Sequence, residues 1–80
     1  MKSIRTESYQ LLISLLKQKR QELGITQDEL AGKINLDQTF VSKFETGERR
    51  LDIIELKMVC EALGTDFLSF VAEFDKKDKA

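Results

Sequence analysis

The sequence predicts an all-α fold: a compact five-helix domain covering residues 1–80. Three observations lead there. There is no proline and there are only four glycines, so helices are allowed throughout. No alternating apolar/polar run is bounded by turn residues, which removes strands. Apolar residues recur instead at helical spacing in five stretches, separated by glycine or asparagine and by capping residues.

The first helix spans about 8–23, with Tyr9, Leu12, Ile13, Leu16, Arg20 and Leu23 at helical spacing. Lys17, Lys19 and Arg20 suit the negative end of its dipole, and Gly24 supplies the left-handed residue that ends it. Thr26-Gln27-Asp28-Glu29 reads as a capping box opening a short second helix with Leu30, Ala31 and Ile34 inward. Asn35 tolerates positive φ. Asp37 then caps a third helix, Gln38–Thr46, with Val41 and Phe44 inward and Gly47 at its end. Residues 48–51 connect to a fourth helix, about Ile53–Leu63, capped by Asp52. Its inward stripe is Ile53, Leu56, Val59/Cys60 and Leu63, and Gly64 closes it. Asp66 caps a fifth helix through about Phe74, with Phe67, Phe70, Val71 and Phe74 on one face. The core is therefore expected within about 8–74, and residues 75–80 form a charged tail expected to fray.

Composition narrows the function. Hydrophobic residues make up 41% and charged residues 34%, a globular balance and not a disordered one. One cysteine and no histidine exclude a disulfide framework, a zinc finger and a His-based triad. No metal site, cofactor motif, nucleophile–base pair or phosphate-binding glycine loop is present, so an enzyme is not expected. Cys60 reads as a small core hydrophobe. Glu55, Glu61, Asp66 and Glu73 lack ligand spacing and read as solvated face. No apolar run nears the ~18 residues of a membrane span. MKSIRTESYQ lacks the apolar stretch of a signal peptide, so a cytoplasmic location is expected.

Charge alone is ambiguous. Net charge is −1 and the pI about 5.4, whereas nucleic-acid binders often exceed ~9. Residues 1–50 carry a surplus of two positive charges and residues 51–80 a surplus of three negative ones. A one-sided anionic partner is permitted.

The stretch from Thr26 to Thr46 says more. Two helices too short to be stable alone are joined by a tight turn. A helix-turn-helix holds them at a steep angle so that the second projects into the DNA major groove. Ala31, with Gly32 beside it, allows the close crossing, and Asn35 the turn. Residues 24–70 resemble the lambda-repressor/Cro-type (XRE-like) helix-turn-helix family of bacterial and phage regulators. The matching stretches are Gly24-Ile25-Thr26-Gln27-Asp28-Glu29-Leu30-Ala31, Val41-Ser42-Lys43-Phe44-Glu45-Thr46-Gly47-Glu48-Arg49 and Glu61-Ala62-Leu63-Gly64. Arg20 also fits. Two departures stand out: the turn holds Asn35 where the family commonly has Gly, and Asp37 where Ser or Thr often caps.

The resemblance implies a lambda-repressor-like domain that binds double-stranded DNA without a cofactor or evident small-molecule effector. Gln38, Thr39, Ser42 and Lys43 would read bases: Gln38 an adenine edge, Lys43 guanine, and Thr39 a thymine methyl. Gln27, Thr46, Gly47, Arg49 and Arg50 would meet phosphates. Arg20 and Glu45 would form an internal ion pair. Phe67, Phe70, Val71 and Phe74 exceed what so small a chain easily hides, so they are expected to form a homodimer interface on a pseudo-palindromic operator. In size the chain resembles restriction–modification controller proteins and phage Cro-like repressors. An antitoxin of the same fold, or a helical protein-interaction adaptor that has lost DNA binding, is the alternative.

Overall fold

The structure is a computed structural model describing residues 6–80; residues 1–5, part of the stretch read for a leader, lie outside the described residues. Five helices follow in order: α1 (Thr6–Glu22), α2 (Gln27–Lys33), α3 (Gln38–Thr46), α4 (Ile53–Ala62) and α5 (Phe67–Lys79). No strand occurs among the described residues.

Capping residues set the boundaries. Thr26 Oγ1 accepts from the Glu29 N–H at 3.0 Å, and Glu29 accepts from the Thr26 N–H at 2.8 Å. Asp52 and Glu55 repeat this reciprocal box on α4 at 2.8 and 2.9 Å. Asp66 accepts from the Ser69 N–H at the head of α5. Asp37 occupies the N-cap of α3, but its carboxylate makes no capping bond. Asn35 takes φ +60° in the α2–α3 turn. The Leu36 N–H then reaches back to the Ala31 carbonyl at 3.0 Å, which turns the chain sharply toward α3.

α1 is flanked by α3 on one side and α5 on the other, while α2 packs on α3 and α4. Leu16, Leu30, Val41, Phe44, Val59 and Phe70 fill the centre. Two-sided packing explains why Leu15, outside the expected stripe, is buried. Leu23 lies past the end of α1 and is 54% exposed; Ile53, on the outer first turn of α4, is 66% exposed. Both leave the expected core. Ala31 is buried at the helix crossing as expected, whereas Gly32 is exposed and a Cβ there would meet nothing.

The tail expected to fray is helical. α5 continues to Lys79, supported by Lys77–Glu73 and Lys79–Asp75 pairs one turn apart. Ser8 Oγ donates to Asp78 at 2.7 Å and ties the end of α5 to the start of α1. Phe70 is also corrected. It is fully buried, with the Lys19 ammonium 6.0 Å from its ring centre, so it belongs to the core and not to an open interface. Phe67 and Phe74 are half-buried against the same core. The apolar surface that α5 leaves open is Leu68, 74% exposed, and Val71, 37% exposed.

Candidate nucleic-acid interface

α3 divides cleanly between core and surface. Val41, Phe44 and Glu45 are buried; Gln38, Thr39 and Lys43 are exposed and Ser42 is half-buried beside them. Those four polar residues, predicted to read bases, share one outward side of the helix.

The position of that side is set from within. The Arg20 Nε and Nη2 groups donate to Glu45 at 2.7 and 3.1 Å, and Nη1 donates to the Ile25 carbonyl at 2.8 Å. The expected ion pair is thus present, bidentate and buried. Glu45 Oε1 also accepts from Gln27 Nε2 at 2.9 Å. Gln27 Oε1 in turn accepts from Gln38 Nε2 at 2.7 Å. An ionised carboxylate only accepts, so Glu45 obliges Gln27 to present its amide nitrogen inward and its oxygen outward. Gln38 must then give one N–H to Gln27. Its second N–H and its carbonyl oxygen remain for a partner, one donor and one acceptor. An adenine edge in the major groove offers the matching pair, the N7 acceptor and the N6 donor.

The predicted phosphate contacts fare unevenly. Gln27 keeps one amide hydrogen beyond its bond to Glu45. Arg50 is exposed, stacked over the Tyr9 ring at 4.6 Å, with no carboxylate at ion-pair distance among the described residues. The Gly47 N–H, however, donates to the Phe44 carbonyl at 3.1 Å and closes α3 in a left-handed turn (φ +85°). The Thr46 hydroxyl donates to the Lys43 carbonyl at 3.1 Å. Both donors are engaged at the helix end. Arg49 grips Glu55 through two bonds of 2.9 and 2.7 Å.

Two residues missed in the sequence organise this edge. Tyr9 donates from its hydroxyl to the Arg49 carbonyl and accepts from the Leu51 N–H, both at 3.1 Å, pinning the 48–51 connector to α1. Its partial burial raises the phenol pKa. Glu55, read as solvated face, is half-buried and serves both Arg49 and the α4 cap. Hydrogen bonding from Arg49 first, and from the Asp52 N–H second, holds its carboxyl below the usual range. The Asp52-x-x-Glu55 spacing was the available signal. Glu73 also leaves the solvated class, pairing with Lys19 at 3.1 Å. Burial pushes the Cys60 thiol up to about 11, which keeps it neutral in the core. Among the described residues no acidic or cysteine cluster could hold a metal ion, and no helix is long and apolar enough to cross a membrane.

Comparison with protein-family models matches residues 16–70 to the family described as Helix-turn-helix. Among solved structures the chain is similar to an XRE-family like protein from Pseudomonas syringae pv. tomato str. DC3000, with a TM-score of 0.88 and 42% identity across 92% of this chain and 90% of that one. It is similar to the wild-type restriction–modification controller protein C.Esp1396I, with a TM-score of 0.80 and 31% identity across 94% of this chain and 92% of that one. Control protein C.MunI of Mycoplasma sp is 25% identical over 63 residues, 79% of this chain and 85% of that protein.

Proposed function

The chain belongs to the helix-turn-helix family of DNA-binding transcriptional regulators, and from that premise we propose that it binds a pseudo-palindromic operator sequence-specifically as a homodimer. The observation that carries the reading is Gln38. It is exposed, held by a relay from the buried Arg20–Glu45 pair, and left with one donor and one acceptor directed outward. Thr39, Ser42 and Lys43 continue the same reading side. The spare hydrogen of Gln27 and the guanidinium of Arg50 supply phosphate contacts that add affinity without sequence choice.

One chain measures 34 Å along its longest axis and presents a single α3. Two half-sites one DNA turn apart, about 34–36 Å, therefore require a second copy. Leu68 and Val71, three residues apart on α5, replace Phe70 as the apolar contact between copies. Leu68→Glu should yield monomers in sedimentation, and an unchanged dimer mass would move the interface elsewhere. Likeness to two controller proteins along most of each chain favours a controller role over an antitoxin. A place in the cytoplasm, beside the DNA, follows from the same reading.

The test is fluorescence anisotropy with a labelled duplex recovered from a random pool by this protein. Binding should weaken steeply as salt rises, because several phosphates are neutralised. A folded dimer with no affinity at low salt would favour the protein-interaction adaptor.

A further inference from the structure

Arg49 is held at more points than a phosphate-seeking side chain needs. Its N–H donates to the Lys43 carbonyl at 3.2 Å, and its carbonyl accepts from the Tyr9 hydroxyl. Its guanidinium grips both oxygens of Glu55 and also donates to the Arg50 carbonyl at 3.1 Å. The same group lies 4.9 Å from the centre of the Phe40 ring. Phe40 in turn meets Phe44 edge-on, with ring centres 5.7 Å apart. A layered stack thus runs from the core outward through Phe44, Phe40, Arg49 and Glu55. It joins the reading helix to the first turn of α4.

Charge points the same way. Paired with a carboxylate, Arg49 is close to neutral as seen by a phosphate. Three of its five guanidinium hydrogens already have acceptors. Its neighbour Arg50 keeps its charge available. Phe40 is next to Thr39 and one helical turn before Lys43, so any roll of Phe40 displaces the residues meant to read bases.

We propose that Arg49 is a positioning residue for sequence reading: locked to Glu55 and laid on Phe40, it sets the angle of α3 against α4 and does not neutralise a phosphate. This rests on the DNA-binding reading above. It separates two arginines that look equivalent in sequence. Arg50 contributes affinity for any duplex, whereas Arg49 contributes discrimination between duplexes.

The experiment compares wild type, R49A, E55Q and the double variant on two labelled duplexes, one selected from a random pool by this protein and one of random sequence. Each is titrated across a range of salt. R49A should weaken binding to the selected duplex about three- to fivefold, the scale of an exposed ion pair. Binding to the random duplex should change less than about twofold, and the slope of log affinity against log salt should be unchanged. E55Q should reproduce R49A, and the double variant should be no weaker than either. Gln is accepted at this position of a capping box, so E55Q carries the test if R49A fails to fold. Equal weakening on both duplexes with a slope flattened by about one would place Arg49 on a phosphate and overturn the proposal. Tighter binding by E55Q would overturn it as well, because Glu55 would then be a competitor. If the wild type bound neither duplex, the DNA-binding reading would fail and this assignment with it; either of the other contrary results defeats the assignment alone.

Discussion

Two arginine–carboxylate pairs in this molecule share a contact distance and differ in everything else: Arg20 meets Glu45 side-on through Nε and Nη2, Arg49 meets Glu55 end-on through Nη1 and Nη2. Arg20–Glu45 and Arg49–Glu55 both close at 2.7 Å with two-pronged contacts. The side chains of the first are 10% and 2% exposed, those of the second 43% and 20%. In the first, water has been replaced by fixed partners: the Ile25 carbonyl for Arg20 and the Gln27 amide for Glu45. In the second, water still competes for both groups. The comparison teaches that a matching contact distance does not imply a matching role. The buried pair anchors the fold and orients the relay to Gln38. The exposed pair trims the angle at which the reading helix is presented.

The sharpest way to break the comparison is to strand a charge in each pair. Arg20→Ala leaves the Glu45 carboxylate buried without its guanidinium and should lower stability by about 3–5 kcal/mol in urea unfolding. The equivalent loss at Arg49 should leave the unfolding midpoint nearly unchanged. Equal losses at both sites would erase the distinction. Next in size is Gln38→Ala, the outer end of the buried relay. It should weaken the preferred duplex by about 1–3 kcal/mol and relax choice at one base position. Stability should hardly move, since Gln38 is exposed. Tyr9→Phe removes the hydroxyl that holds the Arg49 carbonyl and the Leu51 N–H. It should reduce stability by about 0.5–1.5 kcal/mol. The smallest effect is that of pH on the exposed pair. The Glu55 carboxyl titrates below its ordinary value of 4.5 in the folded chain. Its contribution is therefore complete above that value and lost as the pH falls through the lower, folded one. Whatever small gap in Tm separates wild type from E55Q at neutral pH should close in acid.

Much of this is legible in the sequence. Residue types with one local task declare it. Thr26 with Glu29, Asp52 and Asp66 marked helix starts, and Asn35 marked the turn because few other side chains tolerate positive φ. The Arg20–Glu45 pair and the outward set on α3 followed from the family resemblance together with helical spacing. What failed depended on neighbours that periodicity does not see. Spacing placed Phe70 on a face of α5, but only the packing of α5 against α1 decides that this face is core. Ile53 fits a stripe, yet at the first turn of α4 no element covers it. The tail 75–80 is expected to fray because it is charged and terminal, whereas Glu73–Lys77, Asp75–Lys79 and the bond from Ser8 hold it helical through Lys79. Tyr9 carries no such signal, because its partners are backbone groups of an irregular connector; Glu55 stands at the capping-box spacing from Asp52, but its bond to Arg49 in that connector follows no spacing rule.

The central claim is that the outward side of α3, aligned by the buried pair through Gln27, reads bases. Selection of bound duplexes from a random pool, run in parallel with wild type and Gln38→Ala, addresses it directly. Two recurring half-sites about one DNA turn apart are expected for the wild type, with preference lost at one matching position in each half when Gln38 is removed. Identical enriched sequences for both proteins, or no enrichment by a folded wild-type chain, would contradict it.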